Sequence, residues 1–233
     1  MTFVVAEIGV NWDGDFELAK EMMSNAKEVG CNAVKFQSFE ENMVKDHPEA
    51  SRLIKTSISK SNVEIINELS KSVGIEWFCT PMYPEAVDIL EPFVKRFKIR
   101  VADGRPLLQN KSSELFERVM KTEKEIIISS EKTPKGTKFY GIPKIRWLYC
   151  VSKYPCELTD LDFRNINDFA GYSNHCPNVI APLTAVALGI DILEVHITSD
   201  KSKNYADNNV SFDYNELKEL LRSIRQIEKI LRT

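Results

Sequence analysis

The amino-acid sequence predicts an α/β fold, a (β/α)8 TIM barrel that occupies residues 1–233 as a single domain. Eight short β-rich segments alternate with segments whose apolar residues recur at helical spacing, the pattern of a closed parallel sheet. The length of 233 residues also suits one such barrel, which typically needs about 250 residues. Residues 171–196 are patterned as strand, helix and strand, and so compact a unit implies parallel strands.

Local signals define the individual elements. The first two long helices end at Gly30 and Gly74, because glycine readily adopts the left-handed conformation that ends a helix. The last helix begins at Asp213, with Glu216 three residues later, which is a capping-box pattern. Strands are predicted over residues 4–10, 33–37, 76–79, 96–101, 125–129, 145–151, 171–175 and 192–196. Helices are predicted over residues 16–29, 63–73, 84–90, 111–121, 162–169, 182–189 and 213–231.

The segment between the fifth and sixth strands departs from the barrel pattern. Residues 131–144 contain two prolines and two glycines, so the fifth covering helix is predicted to be shortened or missing. The outward faces of the two strands, with Trp147 among their side chains, would then lose much of their cover. Phe139, Tyr140 and Ile142 in the shortened segment could cover only part of them. Since an exposed apolar patch usually marks an interface, we expect a homodimer through this side. In the alternative, the neighbouring helices close the gap.

The composition argues against nucleic-acid and membrane partners. The net charge is −3 with both signs interspersed, which argues against a nucleic-acid partner. No stretch approaches the roughly 20 apolar residues of a membrane-spanning helix, so no membrane partner is expected. Five cysteines lack framework spacing, and the first residues lack signal-peptide features, so we expect a cytoplasmic protein.

Charged and hydroxyl side chains occupy strand positions that alternation directs into the barrel. They are Glu7, Lys35, Gln37, Lys98, Ser129, Ser173 and Glu194. A barrel interior is usually apolar, and burying an isolated charge costs roughly several kcal/mol. One interpretation is an internal layer of ion pairs that joins the lysines to the glutamates. The other is a cradle for a phosphate or carboxylate, which lysines and hydroxyls form well.

Two of the three histidines end neighbouring predicted strands. His175 ends the seventh strand and His196 the eighth, so both side chains are expected at the carboxyl edge of the sheet. Two neutral imidazoles that converge there could hold a divalent metal. The alternative is a pair of hydrogen-bonded histidines with no metal.

Several ordered motifs resemble the N-acetylneuraminate (sialic acid) synthase family over essentially the whole chain. They are Ala6-Glu-Ile-Gly-Val-Asn11, Ala33-Val-Lys-Phe-Gln37, Thr80-Pro81, Phe97-Lys-Ile99, Gly171-Tyr-Ser-Asn-His175 and Glu194-Val-His196. In that family a TIM barrel condenses phosphoenolpyruvate with an amino-sugar aldehyde and releases phosphate. The resemblance therefore implies a transferase that takes phosphoenolpyruvate and a small sugar aldehyde as substrates.

The resemblance also implies roles for individual residues. His175 and His196 match the ligands of a divalent ion, commonly Mn²⁺ or Mg²⁺. Positions that hold phosphoenolpyruvate in the family correspond to Lys35, Thr80, Lys98, Ser129 and Ser173. Positions near the sugar correspond to Glu7, Gln37 and Asp207, with Glu7 as a candidate for proton transfer. Asn11 is a further candidate for substrate binding.

Some parts of the chain differ from the family pattern. Trp12 stands where the family usually has histidine, Ser152 where asparagine is expected, and Asn204-Tyr-Ala-Asp207 replaces Pro-Gly-Pro-Asp. The C-terminal antifreeze-like domain of the family is expected to be lacking. Because the acceptor loops differ, an aldolase or lyase with another acceptor, or a non-catalytic barrel that binds a phosphorylated ligand, stays an alternative.

Overall fold

In the computed structural model, which describes residues 1–231, eight parallel strands close into a barrel with the (β/α)8 architecture. Each strand pairs with the next in the sequence, and β8 pairs with β1 to close the ring. The strands are β1 (Phe3–Gly9), β2 (Ala33–Ser38), β3 (Glu76–Pro81), β4 (Arg96–Ile99), β5 (Glu125–Ser130), β6 (Ile145–Cys150), β7 (Gly171–Asn174) and β8 (Ile192–His196).

Helices cover the outside of the barrel, and three helices of four residues each lie in the loops that follow β2 and β4. The helices are α1 (Phe16–Val29), α2 (Glu41–Val44), α3 (Ala50–Leu53), α4 (Val63–Val73), α5 (Pro84–Leu90), α6 (Val101–Gly104), α7 (Glu114–Lys121), α8 (Ile180–Ala187) and α9 (Tyr214–Leu231). The capping box of α9 is confirmed, because the Glu216 side chain accepts from the Asp213 backbone and Asp213 accepts from the Glu216 backbone. Within residues 1–231 no helix is both long and apolar enough to cross a membrane.

Some predicted boundaries differ from the structure. The fourth strand was predicted to reach Val101, but β4 ends at Ile99 and Val101 begins the short helix α6. The predicted helix over 111–121 begins only at Glu114, because Ser113 adopts an extended conformation and its hydroxyl caps the helix. Residues 163–168 form kinked 3-10 turns in place of the predicted α-helix.

The covering helix between β5 and β6 is absent, as predicted, since residues 131–144 form turns. The prediction that this leaves the strands uncovered is wrong. Trp147 is only 3% exposed, and its indole donates to the carbonyl oxygen of Phe139 at 3.5 Å. Phe139 in turn packs edge-on against Phe116 of α7, with ring centroids 5.2 Å apart. The turn segment therefore seals the gap within one chain, and the homodimer stays a prediction without this support.

The ladder registers decide which side chains share the barrel interior. Glu7 on β1 lies opposite Lys35 on β2 and His196 on β8, while Ser173 on β7 lies opposite Glu194 on β8. Opposite residues on neighbouring strands point the same way, so these charged and polar groups meet at the carboxyl end of the barrel.

Gly171 shows how closely β7 and β8 approach. A Cβ atom there would lie 2.0 Å from the carbonyl oxygen of Ile192, so any larger residue would force the strands apart. The unit that carries both histidines therefore depends on a glycine at this position.

Candidate active site at the carboxyl end of the barrel

A cavity of about 160 Å³ opens at the carboxyl ends of the strands, and we call it the inner cavity. Nine residues predicted from the sequence line it: Glu7, Lys35, Gln37, Thr80, Lys98, Ser129, Ser173, His175 and His196. The remaining lining residues are Met82, Arg100, Val101, Cys150, Tyr154 and Glu194. The structure thus brings residues from all eight strands, or the loops that follow them, into one site, the usual location of TIM-barrel chemistry.

Two lysines and two glutamates form a buried cluster in this cavity. Lys35 Nζ lies 2.9 Å from Glu7 Oε2 and 3.8 Å from Glu194 Oε1. Lys98 Nζ lies 2.7 Å from Glu194 Oε1, which also accepts from the Ser173 hydroxyl at 2.9 Å. These are the ion pairs that one interpretation of the sequence predicted. All four charged groups also line the cavity, so the pairing leaves them within reach of a ligand.

The opposite charges in this cluster attract each other, and this attraction offsets the cost of burying them. Although burial opposes it, the ammonium groups of Lys35 and Lys98 lower the pKa of Glu194 to about 2. Burial raises the pKa of Glu7, with Lys35 opposing that rise. For Lys35, burial acts to lower the pKa, but the carboxylates of Glu194 and Glu7 raise it above its usual value. Burial lowers the pKa of Lys98, with the carboxylate of Glu194 opposing that fall. An anion that entered would meet two lysines already held in place.

Hydroxyl groups complete the inner cavity. Lys35 donates from Nζ to the Thr80 hydroxyl at 3.0 Å. The Ser129 hydroxyl is buried and has no hydrogen-bond partner among the described residues. A buried hydroxyl without a partner is costly, so an orphaned group that lines a cavity indicates a place for a ligand atom.

The two histidines present their rings to each other at one side of the inner cavity. The ring centroids of His175 and His196 are 5.3 Å apart. Nδ1 of His175 donates to the carbonyl oxygen of Val151 at 2.7 Å, which leaves Nε2 as an open acceptor. Nε2 of His196 lies 2.6 Å from the hydroxyl of Tyr154. Burial is the main cause that lowers the pKa of each histidine to about 3.

These donors fit a divalent cation held by two imidazoles. Both rings are neutral at physiological pH, and His175 has the backbone-anchored geometry that metal-bound histidines usually show. Within residues 1–231 no group of three or more histidine, cysteine, aspartate or glutamate side chains has a metal-binding arrangement. The ion would therefore have open coordination positions for substrate or water.

A second cavity, of about 420 Å³, adjoins the first, and we call it the outer cavity. It shares Gln37, Met82, Arg100 and Tyr154 with the inner cavity, so these four residues lie between the two. Asp207 lines it, beyond β8, where burial and the charge of Glu7 raise its pKa to about 7. The backbone at Gly9 has φ +54°, and a Cβ there would lie 3.1–3.2 Å from side-chain atoms of Gln37, Asp207 and Glu7.

Asn11 lies behind both cavities. It is fully buried, its amide nitrogen donates to the Ile197 carbonyl and the Ser211 hydroxyl, and its amide oxygen accepts from the Asp207 backbone. Asn11 is not among the residues that line the two cavities, and it fixes the loop that presents Asp207. Its predicted contact with the substrate stays a prediction.

Side-chain alternation directed Glu194 into the barrel as a partner for a lysine, but neither Glu194 nor Tyr154 was predicted as a site residue. Glu194 had a signal, because it precedes His196 by two residues on the same strand and so faces the same interior. Tyr154 had none, since it follows β6 in a loop without periodicity. Val101, which was predicted to end the fourth strand, lies instead in the helix α6 and lines the inner cavity.

Comparisons with known proteins extend over nearly the whole chain. Residues 22–233 match the NeuB family. An uncharacterised protein of Methanocaldococcus jannaschii is 34% identical over 250 residues, covering 99% of this chain and 72% of that protein. The N,N'-diacetyllegionaminic acid synthase of Legionella pneumophila is 32% identical over 261 residues, covering 98% of this chain and 73% of that enzyme.

A solved structure has the same fold as this chain. The crystal structure of an N-acetylneuraminic acid (sialic acid) synthetase from Leptospira borgpetersenii in complex with citrate superposes with a TM-score of 0.84. The sequences are 26% identical, and the match covers 99% of this chain and 85% of that one. Both the sequence and the barrel are thus similar to those of synthases.

Proposed function

The chain belongs to the NeuB family and is an enzyme of the synthase type, and we propose that it condenses phosphoenolpyruvate with an amino-sugar aldehyde. The product would be a nonulosonic acid, a sialic-acid-like 3-deoxy-2-keto acid, together with phosphate. The proposal rests on one observation. Two buried lysines, two neutral histidines and the Ser129 hydroxyl, which has no hydrogen-bond partner among the described residues, line a single small cavity.

The lysine side of the inner cavity suits the donor substrate. Phosphoenolpyruvate carries a phosphate and a carboxylate, which need several cationic or hydrogen-bonding groups. Lys35 and Lys98 supply the positive charge, and the hydroxyls of Thr80, Ser129 and Ser173 supply hydrogen bonds. Because these groups are held in place before substrate enters, they can orient the donor against the acceptor.

The side of the inner cavity that is lined by His175 and His196 suits the aldehyde group of the acceptor sugar. His175 and His196 would hold Mn²⁺ or Mg²⁺, which supplies Lewis acidity towards a carbonyl oxygen when bound. Glu7, Gln37 and Asp207 adjoin this side, where the two cavities meet. The pKa values of Glu7 and Asp207 are both raised, which suits carboxyl groups that give or take a proton near neutral pH.

The proposed reaction balances as follows. The π electrons of the donor C2–C3 double bond form a carbon–carbon bond to the aldehyde carbon, and the aldehyde oxygen takes a proton to become a hydroxyl. Water adds to C2 and loses a proton, which gives a tetrahedral intermediate. The bond between C2 and the bridging oxygen then breaks, the C2 hydroxyl passes its proton to the departing phosphate, and C2 becomes a ketone. Glu7 and Asp207 are the candidates for the first two proton transfers, to the aldehyde oxygen and from the water.

The five cysteines are buried free thiols, which is typical of a reducing compartment such as the cytoplasm.

The homodimer through the side that lacks the fifth helix stays a prediction. The strands near Trp147 are covered within the subunit, so the exposed patch that motivated this prediction is not observed.

The test is a turnover assay with purified protein, Mn²⁺, phosphoenolpyruvate and a panel of amino sugars. We expect phosphate release that depends on the sugar, and a 3-deoxy-2-keto acid among the products. Binding of phosphoenolpyruvate without turnover on any sugar would favour a non-catalytic barrel. A borohydride-trapped adduct on Lys35 or Lys98 would instead favour Schiff-base aldolase chemistry.

A further inference from the structure

Arg100 lies where the inner and outer cavities adjoin, and it lines both of them. It follows β4 directly, two residues after Lys98, so the same strand end presents both cations to the inner cavity. The Lys98 side chain is only 4% exposed, whereas that of Arg100 is 44% exposed. One cation is therefore deep in the barrel, and the other lies at its solvent-open mouth.

The guanidinium group of Arg100 is held by a single partner. Its Nε donates to Asp103 Oδ2 at 2.5 Å, and this is the one hydrogen bond that the guanidinium makes among residues 1–231. Asp103 itself lines neither cavity. Nη1 and Nη2 are thus left as donors for a ligand, and a guanidinium binds two oxygens of one phosphate or carboxylate through such paired donors.

The two lysines of the inner cavity share their charges with carboxylates. Nζ of Lys35 lies 2.9 Å from Glu7 Oε2, and Nζ of Lys98 lies 2.7 Å from Glu194 Oε1. Phosphoenolpyruvate, the donor in the proposed function, carries a dianionic phosphate and a carboxylate. Lysines that are paired in this way offset only part of that charge, whereas no carboxylate that lines the inner cavity pairs with Arg100.

We propose that Arg100 binds the phosphate group of phosphoenolpyruvate through Nη1 and Nη2, and that Asp103 positions the guanidinium for this contact. The inference rests on the proposed function and adds a residue to its donor site. The phosphate is favoured over the donor carboxylate because it carries more charge and has to leave the site after the reaction. A cation at the solvent-open mouth lies on that route. Arg100 then adds to the positive charge that Lys35 and Lys98 supply.

The first experiment measures binding of the donor without an acceptor sugar, by isothermal titration calorimetry. Arg100→Met keeps most of the side-chain length and removes the charge. It should weaken phosphoenolpyruvate binding by at least about tenfold, the scale of a hydrogen bond to a charged group. Arg100→Lys keeps the charge without the paired donors, so it should recover only part of the lost affinity.

The matched control is Arg105→Met. Arg105 is 57% exposed and pairs with Glu131 at 2.9 Å, much as Arg100 pairs with Asp103, but it lines neither cavity. Because solvent and salt screen an exposed charge outside the site, this variant should bind phosphoenolpyruvate within about twofold of wild type. Both arginines are exposed, so all of these variants should fold, and circular dichroism checks this.

The second experiment identifies the group that Arg100 binds. Inorganic phosphate and pyruvate, which represent the two ends of the donor, are each titrated as competitors of phosphoenolpyruvate. Arg100→Met should weaken the competition by phosphate by about tenfold and leave that by pyruvate within about twofold. In turnover assays the KM for phosphoenolpyruvate should rise, while the KM for the sugar should stay within about twofold.

The outcomes separate this inference from the proposed function. If Arg100→Met binds phosphoenolpyruvate as wild type does, or if Arg105→Met loses as much affinity, the inference is wrong and the proposed function stands. Weaker competition by pyruvate alone would assign Arg100 to the carboxylate, and a higher KM for the sugar alone would assign it to the acceptor. Either result would also overturn the inference. Absence of phosphoenolpyruvate binding to the wild-type protein in the presence of Mn²⁺ would overturn the proposed function as well.

Discussion

The ammonium group of Lys98 lies 2.7 Å from the carboxylate of Glu194, and less than one twentieth of either side chain is exposed. The pair joins β4 to β8 across the barrel interior. Glu194 Oε1 also accepts from Ser173, so the carboxylate has three neighbours among groups proposed to bind the donor. A phosphate that binds Lys98 must therefore share this lysine with Glu194.

Replacing Lys98 with methionine should weaken phosphoenolpyruvate binding by about 1.5–3 kcal/mol, the scale of a hydrogen bond to a charged group. The substitution keeps most of the volume and removes the charge. Isothermal titration calorimetry measures the affinity, and Lys95→Met is the control, because that lysine side chain is 79% exposed outside the site. Since Glu194 would be left unpaired, Lys98→Met with Glu194→Gln should be measured as well. Wild-type affinity in both variants would mean that Lys98 serves only the ion pair.

Removal of either site histidine should weaken Mn²⁺ binding. His175→Ala and His196→Ala should each raise the dissociation constant by at least about tenfold, because two protein ligands leave no redundancy. Titration with Mn²⁺, followed by calorimetry, gives the value. His47→Ala is the control, since this third histidine is exposed and lies outside the inner cavity. Equal Mn²⁺ affinity in all three variants would contradict the metal assignment.

Tyr154→Phe should strengthen Mn²⁺ binding by about fivefold, near 1 kcal/mol. In the structure the tyrosine hydroxyl lies 2.6 Å from Nε2 of His196, so an ion bound to that nitrogen must first displace it. Wild-type protein should also show a tyrosine absorbance change on Mn²⁺ addition that the variant loses. Tyr140→Phe is the control, because Tyr140 is exposed to a similar degree, 39% against 43%. Weaker binding in Tyr154→Phe would instead make the hydroxyl a supporting ligand.

The sequence predicted the inner cavity well because its determinants are local. Side-chain alternation on short strands places Lys35, Lys98 and Ser173 inside the barrel without any knowledge of the loops. Because each strand pairs with the next in the closed barrel, these side chains come together in one site. Glu194, which the same alternation directs into the barrel, joins this site as well.

The parts that could not be predicted depend on contacts between distant segments. Tyr154 reaches His196 across 42 residues, and no periodic signal in its loop indicates this. Trp147 was expected to be exposed because the sequence lacks a helix over 131–144, but turns can cover a strand as well when an aromatic residue packs under them. Packing of irregular segments leaves no pattern that can be read from one sequence.

The carboxyl group of Asp207 should make stability depend on pH. Its pKa is raised to about 7 in the folded protein from an ordinary value of 3.8. The folded state therefore holds the proton more tightly between these values, and the free energy of unfolding contributed by Asp207 falls as pH rises from about 4 to 7. Asp207→Asn removes this effect, so it should stabilise the protein by about 2 kcal/mol more at pH 8 than at pH 5.

Urea unfolding at the two pH values measures this difference. Asp88→Asn on α5 is the control, because its carboxylate is 66% exposed and lies outside both cavities. Its effect on stability should be the same at pH 5 and pH 8 within about 0.5 kcal/mol. An Asp207→Asn effect that is equally independent of pH would show that the carboxyl titrates normally in the folded state.

Phe139→Ala should lower the free energy of unfolding by about 3–5 kcal/mol, because it empties a buried aromatic site. Phe139 is 7% exposed and covers the region where the fifth helix is absent, between Phe116 and Trp147. If the cover is internal to one chain, as the structure indicates, the urea midpoint should not depend on protein concentration. Tyr140→Ala, the neighbouring exposed aromatic, should change stability by less than about 1 kcal/mol. A midpoint that rises with concentration in wild type and not in Phe139→Ala would show that a second subunit completes this face.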